Sequence, residues 1–240
     1  TRAPWKRWWF RMVLGSALWI AANSEYTRGL LAGHAGSVSL SVLFPCVPVC
    51  APLAKKSGPG CNLLTVSRLV ARKNHVAVLR VLAELVDQFS HLTYTILGNG
   101  PERGKILDVI QKDNLTDRVT LVLDVTDAQR EAYYAEADIF VLPTVSHGDD
   151  VEGFGMVFLE AARHGLPVIA GRGGGVAEAV VDGVTGFLID PLDHEALKRV
   201  LIRLIENREE RERLGMQARN RVVGQFLCSA RKYDLEKLYE

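Results

Sequence analysis

Residues 152–160 read Glu152-Gly-Phe-Gly-Met-Val-Phe-Leu-Glu160, in which a glycine-spaced turn and an apolar segment join two carboxylates. The order predicts a loop, then a helix that begins near Met156, then a carboxylate about one turn inside it. The first N–H groups of a helix lack partners and lie at the positive end of its dipole, so they attract anions. Gly153 and Gly155 let the backbone approach a phosphate closely. The stretch predicts a site for a phosphorylated, hydroxyl-rich ligand; simple dipole compensation by the carboxylate is the alternative.

Short apolar strands and amphipathic helices alternate on both sides of this stretch. Strands are predicted at 62–67, 92–97, 119–123, 138–142, 167–170 and 186–189. Helices are predicted at 74–89, 102–113, 127–137, 156–164, 175–181, 193–206 and 208–223. This alternation is typical of a parallel sheet covered on both faces, so we expect an α/β fold with a Rossmann-like, doubly wound parallel sheet.

Polar residues and glycines follow the predicted strands, at the edge where such sheets bind ligands. The first five strands are followed in turn by Ser67, Arg68 and Lys73; by Gly98-Asn99-Gly100; by Asp124-Val125-Thr126; by 144–150 with the two-glutamate stretch; and by the glycine-rich run 171–175. Arginine and lysine together neutralise a diphosphate well, one as a fork of donors and the other as a point charge. Their convergence with two carboxylates favours a ligand site over a set of unrelated surface residues.

The bulk composition excludes several classes of protein. The 240 residues are 48% hydrophobic and 24% charged, which is ordinary for a globular chain. A net charge of +1 argues against a dedicated nucleic-acid binder. The four cysteines are too few for a disulfide scaffold and lack the histidines of a zinc site, so we expect reduced cysteines in a cytosolic protein. No apolar run approaches the ~20 residues that span a bilayer.

Residues 1–24 form a distinct basic and aromatic segment. Four basic residues and no acidic one precede Glu25, and three tryptophans lie among them. A signal peptide also begins basic and becomes apolar, but the tryptophans occupy the wrong region for one. Two interpretations remain open: a helix detached from a larger domain, with its aromatic residues meant for a missing core, or a helix that lies on an anionic membrane surface.

Prolines and glycines are dense in residues 33–60. Although it contains one short β-branched run, this segment is predicted to be loop-like and suits an interdomain linker. We place the domain boundary near residue 55.

Residues 61–223 closely resemble the C-terminal, donor-binding domain of GT-B glycosyltransferases of the retaining family 4 type, also called glycosyltransferases group 1. The matching stretches are Ser67 to His75, Leu97 to Pro101, Ala137 to Pro143, Glu152 to Ala161 and Gly174 to Gly186. The Glu-x7-Glu pattern is the signature of that family. The resemblance implies three parts: 1–55, a remnant of the N-terminal acceptor domain plus the linker; 56–225, the nucleotide-sugar donor domain; and 226–240, a helix that crosses back to the N-terminal domain.

The resemblance also implies roles for single residues. Arg68 and Lys73 would hold the donor diphosphate and neutralise the charge that grows on the leaving nucleoside diphosphate, in place of a metal. Glu152 would contact hydroxyls of the transferred sugar, and Glu160 would bind the ribose. The implied catalytic residues are thus Arg68, Lys73 and Glu152. The remaining implied donor contacts are Ser67, Gly98, Asn99, Leu123, Val125, Gly153, Phe154, Gly155, Met156 and Val157.

The implied reaction is retaining transfer of a hexose from a GDP- or UDP-linked sugar to a hydroxyl of a lipid-linked or glycan acceptor. No cofactor, metal or nucleic acid is expected. Residues 148–152 resemble members that use GDP-mannose, including phosphatidylinositol mannosyltransferases. We expect a cytoplasmic protein, peripheral on the cytoplasmic face of the membrane, and no turnover by this chain without the rest of the N-terminal domain.

Two departures from the family pattern and two alternative functions remain. Leu123 stands where many members have glycine, and Phe226-Leu-Cys-Ser229 lacks the tryptophan often found there. The alternatives are a non-catalytic nucleotide or nucleotide-sugar binding or regulatory module, and a GT-B sugar-nucleotide epimerase. A glycosidase with paired carboxylates is disfavoured.

Overall fold

The computed structural model describes residues 4–49, 60–146, 148 and 150–229. The chain begins with α1 (Pro4–Gly15), β1 (Trp19–Ala22), α2 (Glu25–Ala32) and β2 (Ser39–Val42). The elements that follow are β3 (Cys61–Val66), a 3-10 turn (Ala71–Lys73), α3 (His75–Leu85), β4 (Leu92–Leu97), α4 (Arg103–Lys112), β5 (Val119–Val122), α5 (Asp127–Glu136), β6 (Ile139–Leu142), α6 (Met156–Arg163), β7 (Val168–Gly171), α7 (Val176–Ala179), β8 (Gly186–Ile189), α8 (His194–Glu206) and α9 (Arg208–Gln225).

Six parallel strands form the central sheet in the order β5-β4-β3-β6-β7-β8. The chain therefore builds one half of the sheet outward from β3, then returns to the other side of β3 and builds the second half from β6. The strand order reverses between β3 and β6, and ligands of doubly wound sheets bind in the crevice outside the carboxyl ends at such a switch point. The predicted α/β fold with a doubly wound parallel sheet is confirmed.

Side chains alternate between two hydrophobic cores, one on each face of the sheet. Along β6, Ile139 and Val141 pack with α3, α4 and α8, whereas Phe140 and Leu142 pack with α5, α6 and α9. All four are fully buried. A strand covered on both faces is apolar throughout, which is why these strands read as short continuous apolar runs in the sequence.

The first 42 residues contribute a separate two-stranded parallel sheet. Trp19 pairs with Ser39 and Ala22 with Val42. The loop prediction for 33–60 is therefore wrong at Ser39–Val42, because the short β-branched and aliphatic run there pairs with β1. The predicted boundary near residue 55 lies outside the described residues.

The end of α9 meets the segment that follows β2. Val47 and Leu227 form a parallel bridge, in which Val47 N–H donates to the Phe226 carbonyl at 2.9 Å and Cys228 N–H donates to the Val47 carbonyl at 3.1 Å. Cys46 and Cys228 form a disulfide across this bridge. The expectation of reduced cysteines is wrong for this pair, because the backbone pairing brings together two residues that are 182 positions apart.

Cys61, the remaining cysteine among the described residues, forms no disulfide. Cys61 is a buried thiol, and burial raises its pKa to about 12, so it is chemically inert. Most of the predicted crossing helix at 226–240 lies outside the described residues, and α9 ends at Gln225. Within the described part of the chain, no helix is both long and apolar enough to cross a bilayer.

Helix α2 begins directly against α7. Ser24 is fully buried and caps α2 by accepting from the Thr27 N–H at 2.9 Å. The Glu178 carboxylate accepts from two further N–H groups, those of Glu25 at 2.7 Å and Tyr26 at 2.9 Å. A negative side chain at a helix N-terminus satisfies unpaired donors and opposes the helix dipole. Glu178 thereby joins the start of α2 to α7.

Replacing Glu178 with alanine is expected to lower the free energy of unfolding by about 1–2 kcal/mol, because two donors lose a charged acceptor. Urea unfolding measures the change. Asp87→Ala is the control, since Asp87 is exposed and its side chain forms no hydrogen bond or ion pair among the described residues. Equal stability of Glu178→Ala and the wild type would show that the contact contributes nothing.

Candidate functional site

The crevice at the switch point is bordered by the segments that follow β3, β4 and β6. Gly98, after β4, has a φ of +143°, and a Cβ there would lie 1.9 Å from the Ser67 carbonyl oxygen. Only glycine permits this approach, so the segments after β3 and β4 are in direct contact. Ser67 Oγ lies 2.9 Å from Nε2 of His75, the first residue of α3.

Two adjacent cations from the 3-10 turn meet Glu152 across the crevice. Lys73 Nζ lies 2.5 Å and Arg72 Nη1 lies 3.0 Å from the same oxygen, Glu152 Oε2. Arg72 Nε also lies 3.0 Å from Asp150 Oδ1, as an ion pair that is not aligned as a hydrogen bond. The side chains of Arg72, Lys73 and Glu152 are only 10%, 9% and 14% exposed, whereas Asp150 is 68% exposed. The cluster is therefore an inward-facing charge network with one solvent-exposed member.

Burial and charge act in opposite directions on this network. Burial lowers the pKa of Lys73, the hydrogen bond and charge of Glu152 oppose that effect, and the charges of Arg72 and Arg68 add to it. Burial opposes ionisation of Glu152, but the hydrogen bonds and charges of Lys73 and then Arg72 outweigh it and lower the Glu152 pKa. Partly desolvated cations of this kind gain a large favourable electrostatic energy when they bind an anion.

Arg68 lies at the mouth of the crevice with its side chain exposed. Its charge contributes to lowering the Lys73 pKa, so the two predicted diphosphate ligands lie within electrostatic reach of each other. Among the described residues, the Arg68 guanidinium makes no ion pair or side-chain hydrogen bond, unlike Arg72. A ligand anion can therefore approach Arg68 without first breaking a protein contact.

The N-terminus of α6 opens into the same crevice. Gly155 precedes the helix with a φ of +90°, and it supplies no side-chain cap to the first turn. A Cβ at Gly155 would lie 2.3 Å from the Phe158 ring. Within the described residues, the N–H groups of Met156 and Val157 have no hydrogen-bond acceptor. Two N–H donors at the positive end of a helix thus remain for an anion.

The glycine run after β7 supports the Glu152 segment. Gly175 N–H donates to the Glu152 carbonyl at 2.8 Å. A Cβ at Gly174 would lie 2.1 Å from the Glu152 carbonyl oxygen, and one at Gly175 would lie 2.0 Å from the Gly153 carbonyl oxygen. These glycines are required for close backbone packing, which holds Glu152 in place.

Glu160 lies one turn inside α6 and is held from α5. The hydroxyl of Tyr134 donates to Glu160 Oε2 at 2.9 Å, and Arg130 Nε lies 3.9 Å from the same oxygen. Burial, followed by the Glu160 charge, raises the Tyr134 pKa well above its usual value, so the phenol keeps its proton and remains a donor. The Glu160 side chain is still 20% exposed, so it can accept hydrogen bonds from a ligand.

The structure brings most of the predicted site residues to one edge of the sheet. The segments after β3, β4 and β6 carry Ser67, Arg68, Lys73, Gly98, Asn99, Glu152, Gly153, Gly155, Met156, Val157 and Glu160. Leu123 and Val125 follow β5, at the outer end of the same edge, and both are partly buried against the cores.

Phe154 does not contribute its side chain. Its ring is 2% exposed and packs 5.8 Å from the ring centroids of both Phe44 and Phe226. The Phe154 ring is therefore not available to a ligand, and a donor contact at Phe154 stays a prediction for its backbone alone. Its apolar ring belongs to the cluster that joins the linker to the end of α9.

Three residues with evident structural roles at the site were not predicted. Arg72 was not predicted because the neighbouring Lys73 already supplied the cation that the family pattern requires. Two adjacent cations in a turn nevertheless indicate an anion site. Tyr134 lies in an amphipathic helix, and Glu178 reads as an ordinary acid in a first helical turn. Nothing in the sequence links Tyr134 or Glu178 to their partners, which lie 26 and over 150 positions away.

The fold is that of known GT-B glycosyltransferases. The structure superposes on the sucrose-phosphate synthase of Thermosynechococcus elongatus with a TM-score of 0.85 at 24% identity, covering 100% of this chain and 62% of that one. It superposes on Anabaena HepE, solved with UDP-glucose, with a TM-score of 0.83 at 20% identity, covering 97% of this chain and 66% of that one. The six-stranded sheet and its crevice therefore define a unit of the GT-B class.

The chain belongs to the family described as "Glycosyl transferases group 1", whose model matches residues 56–221. A similar relative is the GDP-mannose-dependent alpha-(1-6)-phosphatidylinositol monomannoside mannosyltransferase of Mycolicibacterium smegmatis, 32% identical over 160 residues. That match covers 66% of this chain and 42% of the relative. The chain thus spans less than half the length of such relatives.

Proposed function

We propose that the crevice at the carboxyl edge binds a nucleotide sugar, and that the chain is the donor-binding part of a retaining glycosyltransferase. One observation carries the proposal: Arg68, Lys73 and the uncapped N-terminus of α6 face one crevice, with two carboxylates beside them. The cations and N–H groups suit a diphosphate, and the carboxylates suit hydroxyl groups on either side of it.

Each group has a chemical task in sugar transfer. The bond between the sugar anomeric carbon and the diphosphate oxygen breaks, the carbon forms a bond to an acceptor hydroxyl oxygen with the same configuration, and the hydroxyl proton passes to the departing diphosphate. The departing diphosphate gains negative charge, which Arg68, Lys73 and the N–H groups of Met156 and Val157 stabilise. Glu160 accepts from the ribose and Glu152 from the transferred hexose. The residues that hold the diphosphate thus supply electrostatic stabilisation without a metal.

GDP-mannose is the proposed donor. The mannosyltransferase of M. smegmatis is named as GDP-mannose-dependent, and residues 148–152 resemble members with that donor. The UDP-glucose complex of Anabaena HepE makes UDP the second base to test. The proposed acceptor is a hydroxyl of a lipid-linked or glycan molecule.

Helix α1 supports a lipid-linked acceptor. Trp8 and Trp9 are 66% and 54% exposed, and Met12 is 51% exposed. Aromatic and apolar side chains on a basic segment suit peripheral binding to an anionic membrane surface. We further propose that residues 4–42 belong to the acceptor domain, and that sugar transfer requires the remainder of that domain.

Titration calorimetry with GDP, UDP and ADP tests the donor site. We expect binding of GDP, and Arg68→Ala and Glu160→Ala should each weaken it by about 1–3 kcal/mol, because each loses charge-assisted hydrogen bonds. Arg80→Ala and Glu206→Ala are matched controls, since both residues are exposed and distant from the crevice. Failure of all three nucleotides to bind would refute the donor site, and unchanged affinity in both site variants would refute the residue assignment.

A further inference from the structure

We propose that Arg72 is a positioning residue: it retains Glu152, ionised and oriented toward the sugar, when Lys73 leaves Glu152 for the donor diphosphate. The inference rests on the proposed function and assigns a role to a residue that the sequence did not single out. Two cations share a single oxygen of Glu152, although one cation would neutralise it.

Lys73 is the cation that can exchange partners. Among the described residues its ammonium forms a hydrogen bond and ion pair only with Glu152, it is within electrostatic reach of Arg68, and it is a compact donor on a flexible stem. A diphosphate carries more negative charge than one carboxylate and attracts both Arg68 and Lys73. Binding of the donor therefore draws Lys73 away from Glu152.

Arg72 cannot leave in the same way. Its guanidinium bridges Glu152 and Asp150, and its carbonyl accepts from the Val145 N–H at 2.8 Å. Both carboxylates and Val145 belong to the segment between β6 and α6. Arg72 is thus tied at three points to the segment that carries Glu152, and it is 9% exposed.

Without Arg72, donor binding would leave Glu152 buried and unpaired. A carboxylate in that state takes up a proton or turns toward water, because burial of an uncompensated charge is costly. Protonated or displaced Glu152 is a poorer acceptor for sugar hydroxyls. Arg72 therefore keeps Glu152 in contact with the sugar when Lys73 binds the diphosphate.

The test compares GDP with GDP-mannose on the same chain, by calorimetry. Arg72→Met should leave GDP affinity within about threefold and weaken GDP-mannose about tenfold, since only the sugar contact is lost. The loss should grow as the pH is lowered from 8 to 6, and Arg72→Lys should restore part of it. Lys73→Met, in contrast, should weaken both ligands.

Asp150→Asn provides a second variant that removes an anchor of Arg72 at an exposed position and leaves the core intact. It should weaken GDP-mannose about threefold and leave GDP unchanged. Equal weakening of GDP and GDP-mannose by Arg72→Met would make Arg72 a phosphate ligand and overturn the proposal. Unchanged binding of both ligands in the two variants would overturn it as well. Failure of the wild type to bind either GDP or UDP would instead refute the proposed function, and this inference with it.

Discussion

Replacing Lys73 with methionine is expected to weaken GDP binding by about 100-fold, because a partly buried ammonium is lost from a diphosphate site. Lys73 is 7% exposed, donates to Glu152 and is within electrostatic reach of Arg68. Arg68 is exposed, and water screens its charge. Its removal should therefore weaken GDP binding less than the removal of Lys73 does. The stem of methionine fills the space of the lysine stem, which limits the change to the charge.

Calorimetry measures the affinity, and urea unfolding checks that the variant folds. Lys112→Met is the matched control, since Lys112 is an exposed residue in the last turn of α4. If Lys73→Met bound GDP as the wild type does, the diphosphate would not be at this cluster.

The second large effect is a loss of stability on acidification that depends on His75. Burial, followed by the positive charge of Lys73, lowers the His75 pKa from 6.5 to about 4. The imidazole is 3% exposed and neutral in the fold. Below pH 6.5 the unfolded chain binds a proton that the folded chain does not bind. The stabilisation is therefore complete above that pH and is lost as the pH falls toward 4, a change of about 3 kcal/mol.

Urea unfolding of the wild type and His75→Gln at pH 7.5 and pH 4.5 isolates this contribution. Carboxylates with a lowered pKa, such as Glu152, keep their charge over this interval and lose their stabilising contribution mainly below pH 4.5, equally in both proteins. Between pH 7.5 and pH 4.5, the free energy of unfolding of the wild type should fall by about 2–3 kcal/mol more than that of His75→Gln. His91→Gln, at an exposed position, serves as the control. Equal losses in the wild type and His75→Gln would contradict a buried neutral His75.

The sheet was predictable because each strand is a short apolar run bounded by turn residues. The strands at Leu92–Leu97 and Gly186–Ile189 match their predicted bounds. The helix predicted at 175–181 is only Val176–Ala179, because Val180 is extended. The strand Ser39–Val42 was not predicted because prolines and glycines dominate the pattern of residues 33–60. In addition, the strand with which it pairs, Trp19–Ala22, lies in another predicted segment.

The site was predictable at the level of strand ends, but not at the level of contacts. Parallel strands bring the residues that follow them to one edge, so Arg68, Lys73 and the two glutamates could be placed together. The sequence does not record which cation pairs with Glu152, since that contact spans about 80 positions. For the same reason it could not show that Phe154 packs with Phe44 and Phe226, or that Cys46 pairs with Cys228.

A crystal structure of this chain with GDP tests the central claim most directly. The account predicts diphosphate oxygens within about 3 Å of Lys73 Nζ and of the N–H groups of Met156 and Val157, with the ribose on Glu160 and Glu152 still paired with Arg72. A diphosphate bound elsewhere on the protein, with Lys73 still on Glu152, would contradict it.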